Sequence, residues 1–136
     1  MSASEAIRGA PTRIETDSRV IVLDEFGFLR SSYKRATDNT LAEAQKIVYS
    51  MRILGGGLRR PVLVDFRGMR SMDREARDYF AGPETAAVIS AAAILVDSSL
   101  ETAIGNLFTR LGKSLVPTRL FTSEPRAVAW LKKHLA

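Results

Sequence analysis

The chain has 136 residues, 46% hydrophobic and 26% charged, the composition of a single globular domain with room for one sizeable core. It has no cysteine, which excludes disulfides, thiolate zinc sites and cysteine nucleophiles. The formal charge is +5, from 20 Lys+Arg against 15 Asp+Glu, and the longest nearly apolar run, AAVISAAAILV at 86–96, falls short of the roughly 20 residues a bilayer span needs. The opening MSASEAIRGAPTR lacks the apolar block of a signal peptide. Residues 1–12 are small, polar and aperiodic, and read as a disordered tail ahead of a single domain at 13–136. Together with the missing cysteines, this sets the expectation of a cytoplasmic protein with no membrane segment.

TRIET, 12–16, reads as a short edge strand. RVIVLD, 19–24, is β-branched and apolar, the pattern of a buried strand. EFG and then FLRSSY turn it into a hairpin, with Gly27 free to take a positive φ. Thr40 opens the first helix. In TLAE the Thr40 hydroxyl can accept from the Glu43 amide while the Glu43 carboxylate returns the bond. Leu41, Ala44, Val48 and Met51 line one face, and GGG at 55–57 ends the helix. PVLVDF, 61–66, is the next strand, with Pro61 tolerable only at its start.

SMDREARDYF, 71–80, begins a second helix whose inward stripe is Ala76, Tyr79 and Phe80. Gly82-Pro83 interrupts it and PETAAVI resumes a short helix. AAAILVD, 91–97, is a strand. SSLE, 98–101, is a second capping box, followed by a helix carrying Leu100, Ile104, Leu107, Phe108 and Leu111. PTRLFT, 117–122, is the last strand. The closing helix has Ser123 at its N-cap and Pro125 in its first turn. Strands alternating with helices imply an α/β fold: a mostly parallel, four- to five-stranded sheet with an N-terminal antiparallel hairpin and about four helices.

Three segments, RPVLVDFRGMRSMDREAR, AAAILVDSSLETAIGNLF and VPTRLFTSEPRAVAWLKKHL, resemble the STAS domain, the α/β module of sulfate transporters and anti-sigma-factor antagonists. More closely, they are similar to an uncharacterised bacterial group of STAS-like proteins. The resemblance runs over about residues 19–135. It implies a regulatory or protein-interaction module rather than an enzyme, and it speaks to fold more than to activity. In phosphorylatable STAS domains an Asp-Ser-Ser-Gly motif opens the helix after the strand, and its serine takes phosphate from a kinase. On this chain the motif's aspartate falls on Asp73, its serines on Arg74 and Glu75, and its glycine on Ala76. The acceptor serine is missing, and Glu75 holds a fixed negative charge in its place. In a helix's first turn that charge is worth about 0.3–1 kcal/mol. Glu75 therefore either imitates a phosphorylated state or is an ordinary acidic helix start. Ser71 or Asp73 is expected to cap that helix.

Chemistry gathers at two strand ends. Arg67, Arg70, Ser71, Asp73 and Glu75 follow one strand; Asp97, Ser98 and Ser99 follow another. In a parallel sheet these loops share a rim, where α/β proteins bind ligands, and the arginines with free helix amides there suit a small anion. Capping accounts for Ser98 without any ligand. The arginines between Arg52 and Arg77 interleave with Asp65, Asp73 and Glu75, as on a solvated face with internal ion pairs. No helix-turn-helix pattern or exposed aromatic strand points to nucleic acid. The GGG run follows a helix and lacks the GK[ST] of a phosphate loop. No His/Asp cluster has metal spacing, and His134 is the single histidine. No catalytic, metal or cofactor site is expected. The expected partners are another protein or a second copy in a homo-oligomer. The alternative is a small-molecule or lipid-type ligand, held in an apolar cleft near 67–75 and 97–99.

Overall fold

The computed structural model describes residues 12–34, 38–67, 71–97 and 115–135. Residues 1–11 of the tail expected at 1–12, the helix expected at 100–111, and Arg70, Ser98 and Ser99 lie outside the described residues. Chain order is β1 (Arg13–Glu15), β2 (Arg19–Leu23), β3 (Leu29–Tyr33), β4 (Asp38–Asn39), α1 (Leu41–Gly55), β5 (Arg60–Asp65), β6 (Ser71–Met72), α2 (Arg74–Phe80), α3 (Pro83–Ala86), β7 (Ile89–Leu95), β8 (Thr118–Phe121) and α4 (Glu124–Lys132). The main sheet has six strands in the order β1-β2-β3-β5-β7-β8. β1, β2 and β3 run antiparallel, and β3, β5, β7 and β8 run parallel. This is the expected parallel sheet and hairpin, with the edge strand added.

Local chemistry explains most boundaries. Gly27 sits at φ 96° in the β2–β3 turn, where a side chain would be strained. Gly56, at φ 65°, gives α1 a left-handed C-cap and returns its amide to the Ile53 carbonyl. Thr40 caps α1 through the Glu43 amide at 3.2 Å, as read from the sequence. The other half of that capping box does not form. The Glu43 carboxylate instead turns to the β1–β2 loop, accepting from Thr16 Oγ1 at 2.5 Å and Ser18 Oγ at 2.7 Å. A buried carboxylate gains more from two fixed hydroxyls than from one exposed amide. Ser123 caps α4 through the Arg126 amide.

The 71–80 segment also differs from expectation. Its first residues do not enter the helix; β6 pairs with β4 in a separate parallel ribbon, Asp38 opposite Ser71 and Asn39 opposite Met72. Asn39 is buried and donates to the Ser71 carbonyl at 2.7 Å and the Tyr33 hydroxyl at 2.9 Å, which holds the ribbon against β3. Sequence pattern alone cannot pair two dipeptides 33 positions apart.

Side chains on β5 and β7 alternate between two cores. One side carries Val62, Ala92 and Ile94 beneath α1. The other carries Leu63, Ala93 and Leu95 beneath α4, with Phe28, Ala127 and Leu131. The hairpin adds Ile21 and Leu29 to the α1 side.

Candidate functional site

The parallel register sets the rim. Asp65 lies beside Leu95, and the Phe66 amide donates to the Leu95 carbonyl at 2.8 Å, so β5 and β7 release their loops side by side. Arg67 and exposed Asp97 therefore stand on one edge, as the sequence implied. Arg67 is clamped there: its amide and Nε donate to Asp65 Oδ1 at 2.9 and 3.0 Å, and its Nη2 to Oδ2 at 2.8 Å. This forked bond, then the Asp65 charge, raises the Arg67 pKa above the ordinary arginine value, with Asp97 adding a smaller contribution in the same direction. Arg59 and Arg60 are committed too. Arg59 donates to the Ala86 and Ile89 carbonyls, Arg60 to those of Gly55 and Gly27. Much of the basic run is thus backbone bracing.

At the start of α2, Asp73 takes the N-cap position with extended backbone, but its side chain makes no capping bond. Ser71 does not cap either. Its hydroxyl donates to Asp38 Oδ1 at 2.5 Å, because the β4–β6 ribbon brings that carboxylate opposite it. Asp38, Ser71, Asp73, Arg74 and Glu75 are all exposed, a charged surface around a helix start with Glu75 in its first turn.

Beneath this surface lies a group that the sequence reading missed. Arg19 opens β2 in phase with Ile21, and only 2% of it is exposed. Its guanidinium lies 3.8 Å from the centre of the Tyr33 ring and 5.5 Å from that of Phe66. Its Nη1 donates to Ser31 Oγ at 3.0 Å and to the Asp65 carbonyl at 3.5 Å. Burial pushes its pKa down from the usual arginine range. Among the described residues no carboxylate forms an ion pair with it. The signal in the sequence was its alternation: Arg19 and Ile21 share a face, as do Leu29 and Ser31 on the next strand.

Arg19 walls a cavity of about 70 Å³ between the sheet and α1–α3. Ile47, Met51, Phe66 and Ile94 supply apolar wall, and Arg77 of α2 reaches it with a buried Nε that has no acceptor among the described residues. Met72 joins the wall, so the cavity adjoins the 67–75 loop. His134 is remote from it. Its ring packs 4.5 Å from that of Trp130, and the neighbouring Leu135 abuts Gly27 in the β2–β3 turn, at the other end of the strands from the rim. Among the described residues no cluster of His, Asp and Glu could hold a metal ion, and no helix is long and apolar enough to cross a membrane.

This arrangement of hairpin, parallel strands and loaded rim is a STAS-like fold. A family profile described as "Domain of unknown function (DUF7793)" matches residues 22–135, and the chain belongs to that family. Among solved structures it is similar to an uncharacterized protein of the DUF3478 family with a SpoIIAA-like fold, from Shewanella loihica PV-4. The two are 15% identical, with 88% of this chain and 90% of that chain covered and a TM-score of 0.53. That likeness concerns the fold alone. No curated protein matches the sequence.

Proposed function

We propose that this chain is a non-catalytic, cytoplasmic STAS-like module that acts by binding another protein at the start of α2. One observation supports the reading: the ribbon and the first turn of α2 present Asp38, Ser71, Asp73, Arg74 and Glu75 to solvent, at the helix start where the STAS resemblance would put the phosphorylatable serine. Glu75 supplies there a permanent charge instead of a switchable one. The edge strand β1 is short and carries an Arg13–Glu15 ion pair, features that discourage strand pairing between copies. The partner surface is therefore assigned to α2 rather than to the sheet edge.

The test is affinity capture from the native host with wild type, Glu75→Ser, Glu75→Gln and Ser71→Ala. The reading expects one partner to be kept by Ser71→Ala and lost by both Glu75 variants. Retention by Glu75→Ser and Glu75→Gln would end the fixed-charge idea. A second reading, small-ligand binding, is favoured by the apolar cavity that Phe66 and Met72 help to line.

A further inference from the structure

We infer that the end of the sheet opposite the rim docks on an anionic lipid bilayer, with Phe26, Leu58 and Leu115 entering the headgroup region. This goes beyond the partner reading and stands independently of it. Topology assembles the surface. β3, β5, β7 and β8 are parallel, so all four begin at this end, and the segments leading into them meet there. Phe26 lies in the β2–β3 turn, Leu58 between α1 and β5, and Leu115 just before β8. α4 ends there too: Leu135 abuts Gly27, and Lys132 Nζ lies 4.0 Å from the centre of the Phe26 ring. The first ground is exposure. Among the described residues six large apolar side chains are exposed, and Phe26, Leu58 and Leu115, at 47%, 62% and 61%, are three of them. A fourth, Ile53, stands in the last turn of α1. Exposed apolar residues scattered singly are ordinary; gathered at one end they mark a binding face. Next to Leu58 the chain is open, since a Cβ on Gly56 or Gly57 would meet nothing within 4 Å.

The second ground is charge. Arg52, Arg59, Lys132 and Lys133 are exposed at this end, and none of them forms an ion pair among the described residues. Arg59 and half-buried Arg60 donate to backbone carbonyls, which leaves their positive charge uncompensated. Of the carboxylates near these loops, Asp24 is held by Arg30, and Glu25 and Glu84 are exposed, too few to balance the cations. The opposite rim carries Asp38, Asp65, Asp73, Glu75 and Asp97. A negative surface therefore draws the basic end toward it and leaves the start of α2 facing away. An acidic protein would answer the cations. The apolar side chains, however, stand on three separate segments with cations beside them. A fluid headgroup layer takes in such side chains one by one while its anionic lipids meet the cations.

The test is co-sedimentation of the full chain with vesicles of equal parts phosphatidylglycerol and phosphatidylcholine, and with vesicles of phosphatidylcholine alone. Binding to the first and not the second is expected, weakening as salt is raised. Lys132→Gln and Lys133→Gln should each weaken it about fivefold, the equivalent of about 1 kcal/mol per cation near such a surface. Leu58→Ser should weaken it about tenfold with the melting temperature unchanged, because Leu58 is exposed in the free protein. Phe26→Ser repeats that comparison on a second loop. Glu75→Gln, which tests partner binding, should sediment as wild type does. Absence of binding to the anionic vesicles, or equal binding to both compositions, would overturn the proposal. Unchanged binding by the Leu58, Phe26 and lysine variants would overturn the assignment to this end. Poly-glutamate is the soluble control. If it bound as tightly as the anionic vesicles, and Leu58→Ser bound both as wild type does, the surface would be one for an acidic protein and the bilayer would be ruled out.

Discussion

Behind the sheet, α4 closes over Phe28, Leu63, Ala93, Leu95, Ala127 and Leu131, a buried apolar cluster. In front, α1–α3 cover a larger apolar cluster beside which Arg19 and Glu43 are buried and which lines the cavity. One layer of strands serves both sides, and alternation along β7 sends Ala93 to the first and Ala92 to the second. The contrast separates two uses of a core. The rear face buries apolar side chains and supplies stability. The front face carries desolvated charge and free volume, which cost stability and are the features a ligand or a switch requires.

The comparison can be broken most severely at Leu131. Leu131→Ala opens a void in the rear face and should lower unfolding free energy by about 2–5 kcal/mol in urea titration. A smaller loss would mean that the rear face is not close-packed. Glu43→Ala is next, at about 1.5–3 kcal/mol, because it strands the hydroxyls of Thr16 and Ser18. Its effect should concentrate at the β1–β2 loop, read as faster amide exchange there. The sharpest contrast is between neighbours. Ala93→Val overpacks the rear face and should cost about 1–3 kcal/mol, whereas Ala92→Val projects into the cavity and should stay within about 0.5 kcal/mol. Equal losses from both would mean that the cavity is already filled. The smallest effect belongs to Glu15, whose carboxyl is held below its ordinary 4.5, first by a hydrogen bond from Arg13 and then by the charges of Lys34 and Arg13. A depressed carboxyl stabilises the folded state above its unfolded pKa and loses that contribution as pH falls through its folded value. Glu15→Gln should therefore lower the melting temperature slightly at neutral pH, and by less in high salt, with the difference from wild type closing as pH falls through the folded value.

The strands and helices themselves were legible because their signals are local. RVIVLD is a continuous β-branched run, GGG stops a helix, and Thr40 and Ser123 cap theirs as residue type and position demand. The shared rim was also legible, since parallel strands joined through helices must release their loops at one end. The ribbon was not. β4 and β6 are two residues each, and their pairing exists because Asn39 is anchored by Tyr33 and the Ser71 carbonyl. That ribbon took Ser71 out of its expected capping role and gave it to Asp38.

What the sequence determined by itself, then, is the order of the longer strands and helices among the described residues and the caps of α1 and α4, which depend on neighbours within about one helical turn. What only the tertiary structure decided is where each buried charge finds its partners. Arg59, Arg60 and Arg67 find acceptors close by in space, while Arg19, at the head of an apolar strand, is carried under Tyr33 and Phe66 with no carboxylate to pair with among the described residues. The physical reason is that desolvation depends on everything packed around a group, and for Arg19 that includes rings and helices drawn from segments far along the chain.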